Sequence, residues 1–389
     1  MFVLLLTVFV DLVGFGIILP ILPFYAQAYG ATAVEITLLV STYSAVQIVS
    51  APIWGRLSDR YGRKLILLAT LAGGALAYLW FGFAGSLLAL FAARALSGAM
   101  AGNIAVAHAY VADLTTPAER AGAMGRIGAA FGLGFVVGPA LGGLLVGSDP
   151  GPADYAMPCI IAAAISFAAV PLGMVMLREP ARRESKMRDR ASMGELFRAV
   201  RGNGIPNIIG LMFLVTFVFT ALMALFPLWC QAQLDWGARQ VSYAYTYIGL
   251  LVAFMQGVLL GPVSRRIGEP RVLLIGAAAL SAGLLLVPWV DDVVTFAANT
   301  VFMCLGTSFC HPTLTALISQ RADDRHQGTV MGVANSVAAT GRIVSPPIGG
   351  MIFASLGPNW PLLIGGFIMW PVVAAAVWMS WRYQARETL

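Results

Sequence analysis

Three charged side chains stand well inside long apolar stretches of this sequence, Asp11, Arg94 and Arg342, and a fourth, Arg126, lies nearer the end of another such stretch. A charge at the centre of a lipid-spanning helix costs roughly 2.5–3.5 kcal/mol on insertion scales, so such residues are usually functional. A buried carboxyl can take up and release a proton, and an arginine that moves relative to it changes how readily it does so. Asp11 and Arg94 are therefore candidates for a proton site. A fixed ion pair that only specifies packing is the alternative.

Uncharged polar side chains recur at helical spacing on several of the same stretches. Residues three, four or seven positions apart share one face of a helix. Such faces on several helices favour one shared aqueous cavity that binds a ligand. The residues expected to line it are Tyr43, Gln47, Asn103, Thr216, Thr220, Thr307, His311, Asn335 and Arg342.

Arg342 allows two interpretations. Its planar guanidinium could face the cavity and bind an anionic or strongly polar group of the ligand. It could instead satisfy backbone carbonyls that Pro346 and Pro347 leave without helical donors. His108 shares a face with Arg94 nearly four turns away, and it is either a hydrogen-bonded structural residue or a proton relay.

Membrane-spanning helices are needed to position these residues. The chain is 59% hydrophobic and 11% charged, far outside the range of soluble domains. About 20 apolar residues cross the hydrocarbon core, and twelve such segments are predicted, roughly 2–28, 35–54, 65–85, 87–112, 121–146, 155–176, 205–234, 241–263, 272–289, 293–318, 327–354 and 360–381. Continuous apolar runs exclude a barrel, so the predicted fold class is an all-α integral membrane protein. The four cysteines have no CxxC spacing and predict neither a disulfide nor a metal site.

Lysines and arginines are distributed unevenly among the connections. Twenty of the 24 lie in alternate connections or the C-terminal tail, whereas the intervening connections hold five acidic residues and one cation, Arg239. By the positive-inside rule, both termini and the basic linker are predicted to be cytoplasmic. The net charge of +6 is thereby explained without nucleic acid as a partner.

Two stretches 207 positions apart are copies of each other. Residues 125–143 read GRIGAAFGLGFVVGPALGG and residues 332–350 read GVANSVAATGRIVSPPIGG, while 55–68 and 261–274 match at an offset of 206. A near-constant offset of about half the chain indicates a duplicated half. In membrane proteins, two similar halves usually build a site at their interface near the bilayer midplane. The predicted domains are an N-terminal six-helix half, a cytoplasmic linker and a C-terminal six-helix half, at 1–177, 178–204 and 205–389.

Two further motifs can be explained by helix packing and turn geometry alone. Small residues four apart let helices approach closely in lipid, and a proline bends its helix. In the fifth segment the packing residues are Gly134, Gly138, Pro139, Gly142 and Gly143. The loop GRLSDRYGRK, from Gly55 to Lys64, needs its two glycines for a tight turn and could otherwise be only a topology signal.

With these motifs, the chain resembles the major facilitator superfamily. The loop from Gly55 to Lys64 resembles its signature loop, Arg94–Gly98 its intramembrane arginine motif, and Gly134–Gly143 the motif of its drug/proton antiporters. The stretches 11–23 and 109–120 look most like bacterial tetracycline efflux proteins. The third segment lacks the additional carboxylate expected of those proteins, which leaves the substrate and the number of protons open.

The resemblance implies a function and a role for the loop. It implies a twelve-helix secondary transporter of the bacterial inner membrane that exports amphipathic small molecules, tetracycline-like or other drugs, by alternating access in exchange for protons. It also implies an electrostatic latch of the outward-open state, with Asp59 facing a helix N-terminus and Arg60 or Arg63 near Asp113. The latch residues are Gly55, Asp59, Arg60, Gly62, Arg63 and Asp113.

Other functions agree less well with the sequence. It contains no phosphate loop or metal-ligand cluster and has three histidines, so neither an enzyme nor a cofactor is expected. An ion gradient, worth about 2.3 kcal/mol per charge per 100 mV, then supplies the energy. A proton symporter for a small metabolite or organic anion stays open, and a non-transporting receptor or channel is the second alternative. The expected partners are the small-molecule substrate, protons and the lipid bilayer, with the chain as a monomer.

Overall fold

The computed structural model describes residues 1–147, 152–180, 202, 204–323 and 326–387, which are almost entirely helical. In chain order the helices are α1 (Phe2–Gln27), α2 (Ala33–Tyr61), α3 (Arg63–Gly82), α4 (Leu87–Met100), α5 (Asn103–Leu114), α6 (Pro117–Leu145), α7 (Pro152–Met176), α8 (Ile205–Leu234), α9 (Ala238–Phe254), α10 (Leu260–Ile267), α11 (Glu269–Leu285), α12 (Val293–Arg321), α13 (Gln327–Leu356), α14 (Trp360–Ile368) and α15 (Trp370–Glu387). A π-helical turn, Met255–Leu259, joins α9 to α10, and a 3-10 turn, Val287–Trp289, follows α11.

Eleven stretches of the described chain are long and apolar enough to cross a membrane, and each corresponds to a predicted segment. The remaining prediction, 272–289, corresponds to α11, which has 17 residues. At 1.5 Å per residue such a helix is about 26 Å long, slightly short of the hydrocarbon core, and the following 3-10 turn extends it. The predicted all-α membrane fold is confirmed.

Side-chain caps mark where several helices begin. Thr32 and Glu35 form a capping box at α2, and Asp292 and Thr295 form one at α12. The Asp292 carboxylate accepts a hydrogen bond from the Thr295 backbone N–H at 2.7 Å. This bond favours the charged carboxylate and holds the pKa of Asp292 below its ordinary value.

Two predicted segments contain breaks. The segment predicted at 87–112 is divided into α4 and α5, with Ala101 and Gly102 in a turn between them. A Cβ at Gly102 would lie 2.5 Å from Cδ1 of Trp54, so α2 packs directly against the break. The last segment is divided between α14 and α15, where Pro371 has no N–H to donate to the preceding turn.

The described residues divide into two compact units. The first contains the described residues of Met1–Ser185 together with Asp235–Leu250, and the second those of Lys186–Leu234 and Leu251–Leu389. In the first unit α1 packs against α6, and α3 packs against α7. In the second unit α8 packs against α13, and α11 packs against α15. Under the repeat, α8 and α13 correspond to α1 and α6, and α11 and α15 correspond to α3 and α7. The two units therefore contain the same helix pairs.

The repeat also extends to a turn. Gly62 ends α2 with φ 104° and ψ 149°, and Gly268 ends α10 with φ 80° and ψ 155°. Both glycines lie at equivalent positions of the two copies, directly before α3 and α11. Positive φ values of this kind strongly favour glycine.

All four cysteines lie inside helices. Cys159 is in α7, Cys230 in α8, and Cys304 and Cys310 in α12, and all four are free and buried. They act as small core residues.

Candidate functional site

Glycines of α6 place this helix directly against α1. A Cβ at Gly138 would lie 2.7 Å from the carbonyl oxygen of Val13 and 2.8 Å from Cα of Gly16. Gly134 and Gly142 approach α1 similarly, with separations of 2.6 and 2.9 Å. Real Cβ atoms essentially never come closer than 3 Å to such neighbours, so a larger residue would push the helices apart. The glycine motif therefore fixes α1 and, with it, Asp11.

The two remaining residues of the motif have different neighbours. Cδ of Pro139 would lie 3.0 Å from a Cβ on Gly16, so the proline ring also packs on α1. Gly143 points elsewhere in the first unit, because a Cβ there would lie 2.9 Å from Cβ of Ser242 on α9. One motif thus serves two helix contacts.

Asp11 lines a cavity of about 170 Å³ within the first unit. Asn103, at the start of α5, lines the same cavity, and its side chain lies near the Asp11 carboxylate. The Tyr78 hydroxyl donates to the Asp11 backbone carbonyl at 3.4 Å. His108 is not among the described residues that line this cavity. Four further aromatic residues line it, Phe15, Tyr43, Phe131 and Phe135, together with small and aliphatic side chains.

Arg94 is buried close to these rings, with 2% of its surface exposed. Its guanidinium carbon lies 5.6 Å from the ring centre of Phe15 and 5.0 Å from that of Tyr43, which are cation–π distances. Its Nε has no hydrogen-bond partner in the described part of the chain. Both Arg94 and Asp11 are described, and they form no ion pair with each other. The structure therefore does not contain the fixed pair that the sequence left open.

Gln47, Ser50 and Trp54 form a polar stripe on α2 that binds the break between α4 and α5. Ser50 donates to the carbonyl of Gly98 at 3.0 Å, and Trp54 Nε1 donates to the carbonyl of Ala99 at 2.6 Å. Gln47 donates a longer bond, 3.5 Å, to the carbonyl at the break itself. These carbonyls lose helical donors where α4 ends, so the stripe stabilises the interrupted helix.

Threonines of the second unit bond mainly to their own helices. The Thr220 hydroxyl donates to the Thr216 carbonyl at 2.8 Å, and the Thr307 hydroxyl donates to the Cys304 carbonyl at 3.2 Å. The Thr216 hydroxyl is buried and has no hydrogen-bond partner within the described residues. Each bonded hydroxyl keeps acceptor capacity for a ligand.

The cation Arg342 lies near a histidine in the second unit. His311 on α12 is within electrostatic range of Arg342 on α13. Asn335, also on α13, is exposed, as is His311, while Arg342 is partly exposed. The Arg342 guanidinium can present positive charge and several N–H donors to an anionic group.

Arg63 is the centre of a charged cluster at the turn between α2 and α3. Its Nη1 lies 2.6 Å from Oδ1 of Asp59, and its Nε lies 3.0 Å from Oδ2 of Asp113. The Ser58 hydroxyl accepts a further bond from Nη1 at 2.6 Å. The guanidinium carbon of Arg60 lies 5.4 Å from the ring centre of Tyr61. Arg63 is thus the residue that joins carboxylates from α2 and α5.

Glu179 belongs to this cluster, although the sequence analysis did not identify it. Its carboxylate accepts hydrogen bonds from the backbone N–H groups of Arg63, at 2.5 Å, and Lys64, at 2.9 Å. A helix N-terminus favours a negative charge, and the first turn of α3 contains none of its own. The absence of an acidic residue from this turn was the sequence signal that could have pointed to a cap from elsewhere in the chain. A Cβ at Gly62 would lie 2.8 Å from Oε1 of Glu179, whereas one at Gly55 would meet nothing within 4 Å.

Two repeated helical units of membrane-spanning length, with a carboxyl and an arginine buried inside one of them, are typical of a membrane transporter. The sequence profile of the Major Facilitator Superfamily matches residues 4–259 and 208–388. The chain belongs to this superfamily.

Its relatives include proteins of antibiotic and multidrug resistance. The chain is 30% identical to the class C tetracycline resistance protein of Escherichia coli, over 92% of this chain and 90% of that protein. It is 28% identical to the class H tetracycline resistance protein of Pasteurella multocida and to multidrug resistance protein 2 of Bacillus subtilis, in each case over 99% of this chain and 96% of the relative. The predictions of the superfamily, of membrane transport and of a resemblance to drug-resistance proteins are confirmed.

Solved structures share the fold. The human organic anion transporter TETRAN aligns with a TM-score of 0.72 at 24% identity, covering 96% of this chain and 98% of that one. A bacterial homologue of the human lysosomal transporter Spinster aligns with a TM-score of 0.75 at 16% identity, covering 97% and 93%. At these identities the likeness concerns the fold alone.

Proposed function

We propose that this chain is a proton-driven exporter of amphipathic small molecules, working by alternating access. The observation that carries the proposal is the Asp11 cavity. A carboxyl with a neutral amide and aromatic rings around it can exchange a proton without first breaking an ion pair. Arg94, held nearby on the rings of Phe15 and Tyr43, is placed to respond when the carboxylate becomes charged.

The substrates proposed are amphipathic drugs, tetracycline-like compounds first among them. The names of the resistance proteins that align along nearly the whole chain support this class. The aromatic walls of the Asp11 cavity suit the apolar part of such molecules. Protons and the substrate are the proposed partners, and the proposed working form is a monomer.

We propose that the protein lies in a bacterial inner membrane. Both termini and the linker then face the cytoplasm. The alternation of basic and acidic connections supports this orientation. The halves 1–177 and 205–389 flank the linker 178–204, which lies mostly outside the described residues.

Asp11→Asn tests proton coupling. Because an amide cannot carry the proton, we expect at least a tenfold loss of substrate movement driven by an opposing pH gradient in proteoliposomes. Substrate counterflow without a gradient should continue, since it needs no net proton transfer. The matched control is Asp291→Asn, which neutralises an exposed carboxylate outside the membrane-spanning helices. Full gradient-driven transport by Asp11→Asn would remove this residue from the mechanism.

A second candidate function, transport of an organic anion, is favoured by the positive charge of Arg342. Arg342→Lys keeps the charge but removes the planar guanidinium that binds carboxylates in pairs of hydrogen bonds. If Arg342 binds substrate, the apparent KM for an anionic compound should rise about tenfold, and that for a neutral compound should change less than twofold. Arg265→Lys, at an exposed position of the same unit, is the control. Equal effects on both compounds, or a general loss of folded protein, would give Arg342 a structural role.

A further inference from the structure

One face of α3 lines the Asp11 cavity. Its residues are Thr70, Gly74 and Tyr78, which are four positions apart and therefore share one side of the helix. The Thr70 hydroxyl donates within α3, to two carbonyl oxygens at 2.9 and 3.0 Å. Since none of the three residues is an acid or a cation, this face acts on Asp11 through space and hydrogen bonds rather than through an ion pair.

Gly74 leaves open space directly beside the Asp11 carboxyl. A Cβ at Gly74 would lie 3.7 Å from Oδ1 of Asp11, and it would meet no other described part of the chain outside α3 within 4 Å. A separation of 3.7 Å is an ordinary van der Waals contact, so a methyl group would fit there without moving the helix. The residue at position 74 therefore decides what touches the carboxyl from the side of α3.

Tyr78 holds the same turn of α1 at two points. Its hydroxyl donates to the Asp11 backbone carbonyl at 3.4 Å. Its ring lies against Gly14, three residues further along α1, because a Cβ at Gly14 would lie 2.6 Å from Cε2 of Tyr78. The side chain is 4% exposed, so packing fixes its place. Tyr78 thus sets the position of the backbone that carries Asp11.

We propose that Gly74 and Tyr78 are positioning residues for the proton exchange at Asp11. Gly74 keeps one side of the carboxyl open to water, and Tyr78 fixes the turn of α1 from which the carboxyl projects. This inference rests on the proposed function, which makes Asp11 the proton site. It gives α3 a role in coupling although this helix lacks the additional carboxylate expected of tetracycline efflux proteins.

Few other titratable groups face Asp11. Among the described residues that line the cavity they are Tyr78 from α3 and Tyr43 from α2. Arg94 of α4 and His108 of α5 do not line it, α6 contributes two phenyl rings, and α7, which also packs against α1, contributes no lining residue in the described part of the chain. A substitution on this face of α3 therefore acts mainly on a single carboxyl.

Infrared spectroscopy of the purified full chain, titrated with acid and base, tests the proposal. The carboxyl band that Asp11→Asn removes belongs to Asp11, so its titration midpoint can be followed without substrate or transport. Gly74→Ala places a methyl group against the carboxyl. Because loss of water disfavours the charged form, the midpoint should rise by roughly half a pH unit or more. Gly74→Ser places a hydroxyl donor there instead, which favours the charged form, and the midpoint should fall.

Tyr78→Phe keeps the ring against Gly14 and removes the hydroxyl, so the midpoint should also rise. Its control is Tyr25→Phe. Tyr25 is 2% exposed, donates to two backbone carbonyls of the same unit at 3.1 and 3.2 Å, and does not line the cavity. Gly210→Ala and Gly210→Ser, on α8 where a Cβ would meet nothing within 4 Å, are the controls for Gly74. The three control variants should leave the midpoint unchanged.

A titration midpoint does not depend on the amount of folded protein, so a poorly folding variant still reports on the carboxyl. Shifts in the same direction in Gly74→Ala and Gly74→Ser, or no shift in either, would overturn the role of Gly74. A wild-type midpoint in Tyr78→Phe would overturn that of Tyr78, and the absence of any titrating band that Asp11→Asn removes would overturn both. Opposite shifts at residue 74 together with full gradient-driven transport by Asp11→Asn would retain the effect of α3 on Asp11 and remove the proton coupling.

Discussion

At the scale of single residues, Gly62 has two separate reasons to be glycine. Its φ of 104° lies where other residues are strained. Its missing side chain also leaves room for Glu179, whose Oε1 would lie 2.8 Å from a Cβ. The first reason is shared with Gly268 through the repeat, whereas the second comes from a residue 117 positions away.

Gly62→Ala should therefore lower stability through two contributions, backbone strain of about 1 kcal/mol or more and displacement of Glu179. We expect a clear fall in the thermal unfolding temperature in detergent. Gly128→Ala, on α6 where a Cβ meets nothing within 4 Å, should change it little. In a Glu179→Ala background the cost of Gly62→Ala should be smaller, because only the strain remains. Additive effects of the two changes would show that no such contact exists.

At the scale of elements, α3 takes the cap of its N-terminus from the chain that follows α7. Its first two residues, Arg63 and Lys64, are cations at the end of a helix where anions are preferred. Glu179 supplies the missing charge and two acceptor oxygens. The α3–α7 pair is thus joined by hydrogen bonds at this end as well as by apolar packing along the helices.

Glu179→Gln keeps the shape of the side chain and removes its charge. We expect the first amides of α3 to exchange hydrogen for deuterium faster, by about tenfold, which corresponds to a loss of roughly 1–2 kcal/mol of local protection. Glu35→Gln, which alters the capping box of α2, should leave exchange in α3 unchanged. Unaltered exchange at residues 63–66 in Glu179→Gln would contradict the proposed cap.

At the scale of the whole molecule, the charged cluster around Arg63 is expected to influence which state of the transporter is populated. Arg63 is 18% exposed and Asp113 is 29% exposed, but Asp59 is 65% exposed. An exposed ion pair contributes at most about 1 kcal/mol by itself. Asp59 is therefore available for a role beyond local stability.

Asp59→Asn should shift the population towards inward-facing states, since the resemblance makes Asp59 part of the outward-open latch. Spin labels on Arg56→Cys and Arg265→Cys, at exposed positions in the two halves, should then report longer distances. Asp323→Asn, which neutralises an exposed carboxylate paired with His326, is the control. Unchanged distance distributions together with normal transport would reduce the loop to a topology signal.

Much of the fold could be predicted because membrane helices are continuous in sequence. Apolar length located the twelve segments, and the repeat anticipated the matching turns at Gly62 and Gly268. The break between α4 and α5 could not be read locally, because its freed carbonyls are bonded by Ser50 and Trp54 of another helix. Pro371, by contrast, was a local signal for the last break.

In the candidate site, too, local features could be predicted from the sequence and contacts between helices could not. The charges of Asp11 and Arg94 stood out because they interrupt apolar runs. Tyr43 and Asn103 were expected to line the cavity, but that Asn103 lies at Asp11 and Tyr43 at Arg94 could not be predicted, since only helix packing brings them together. Sequence spacing identifies residues on one helix face, but it carries no information on which faces meet.

The burial of all four cysteines makes the native chain a ready background for site-directed thiol chemistry. Water-soluble maleimides react with accessible thiolates, and Cys159, Cys230, Cys304 and Cys310 are all enclosed. A single cysteine introduced at an exposed position can therefore be labelled selectively. The usual first step of replacing every native cysteine, which would leave cavities or crowding inside α7, α8 and α12, is unnecessary for this protein.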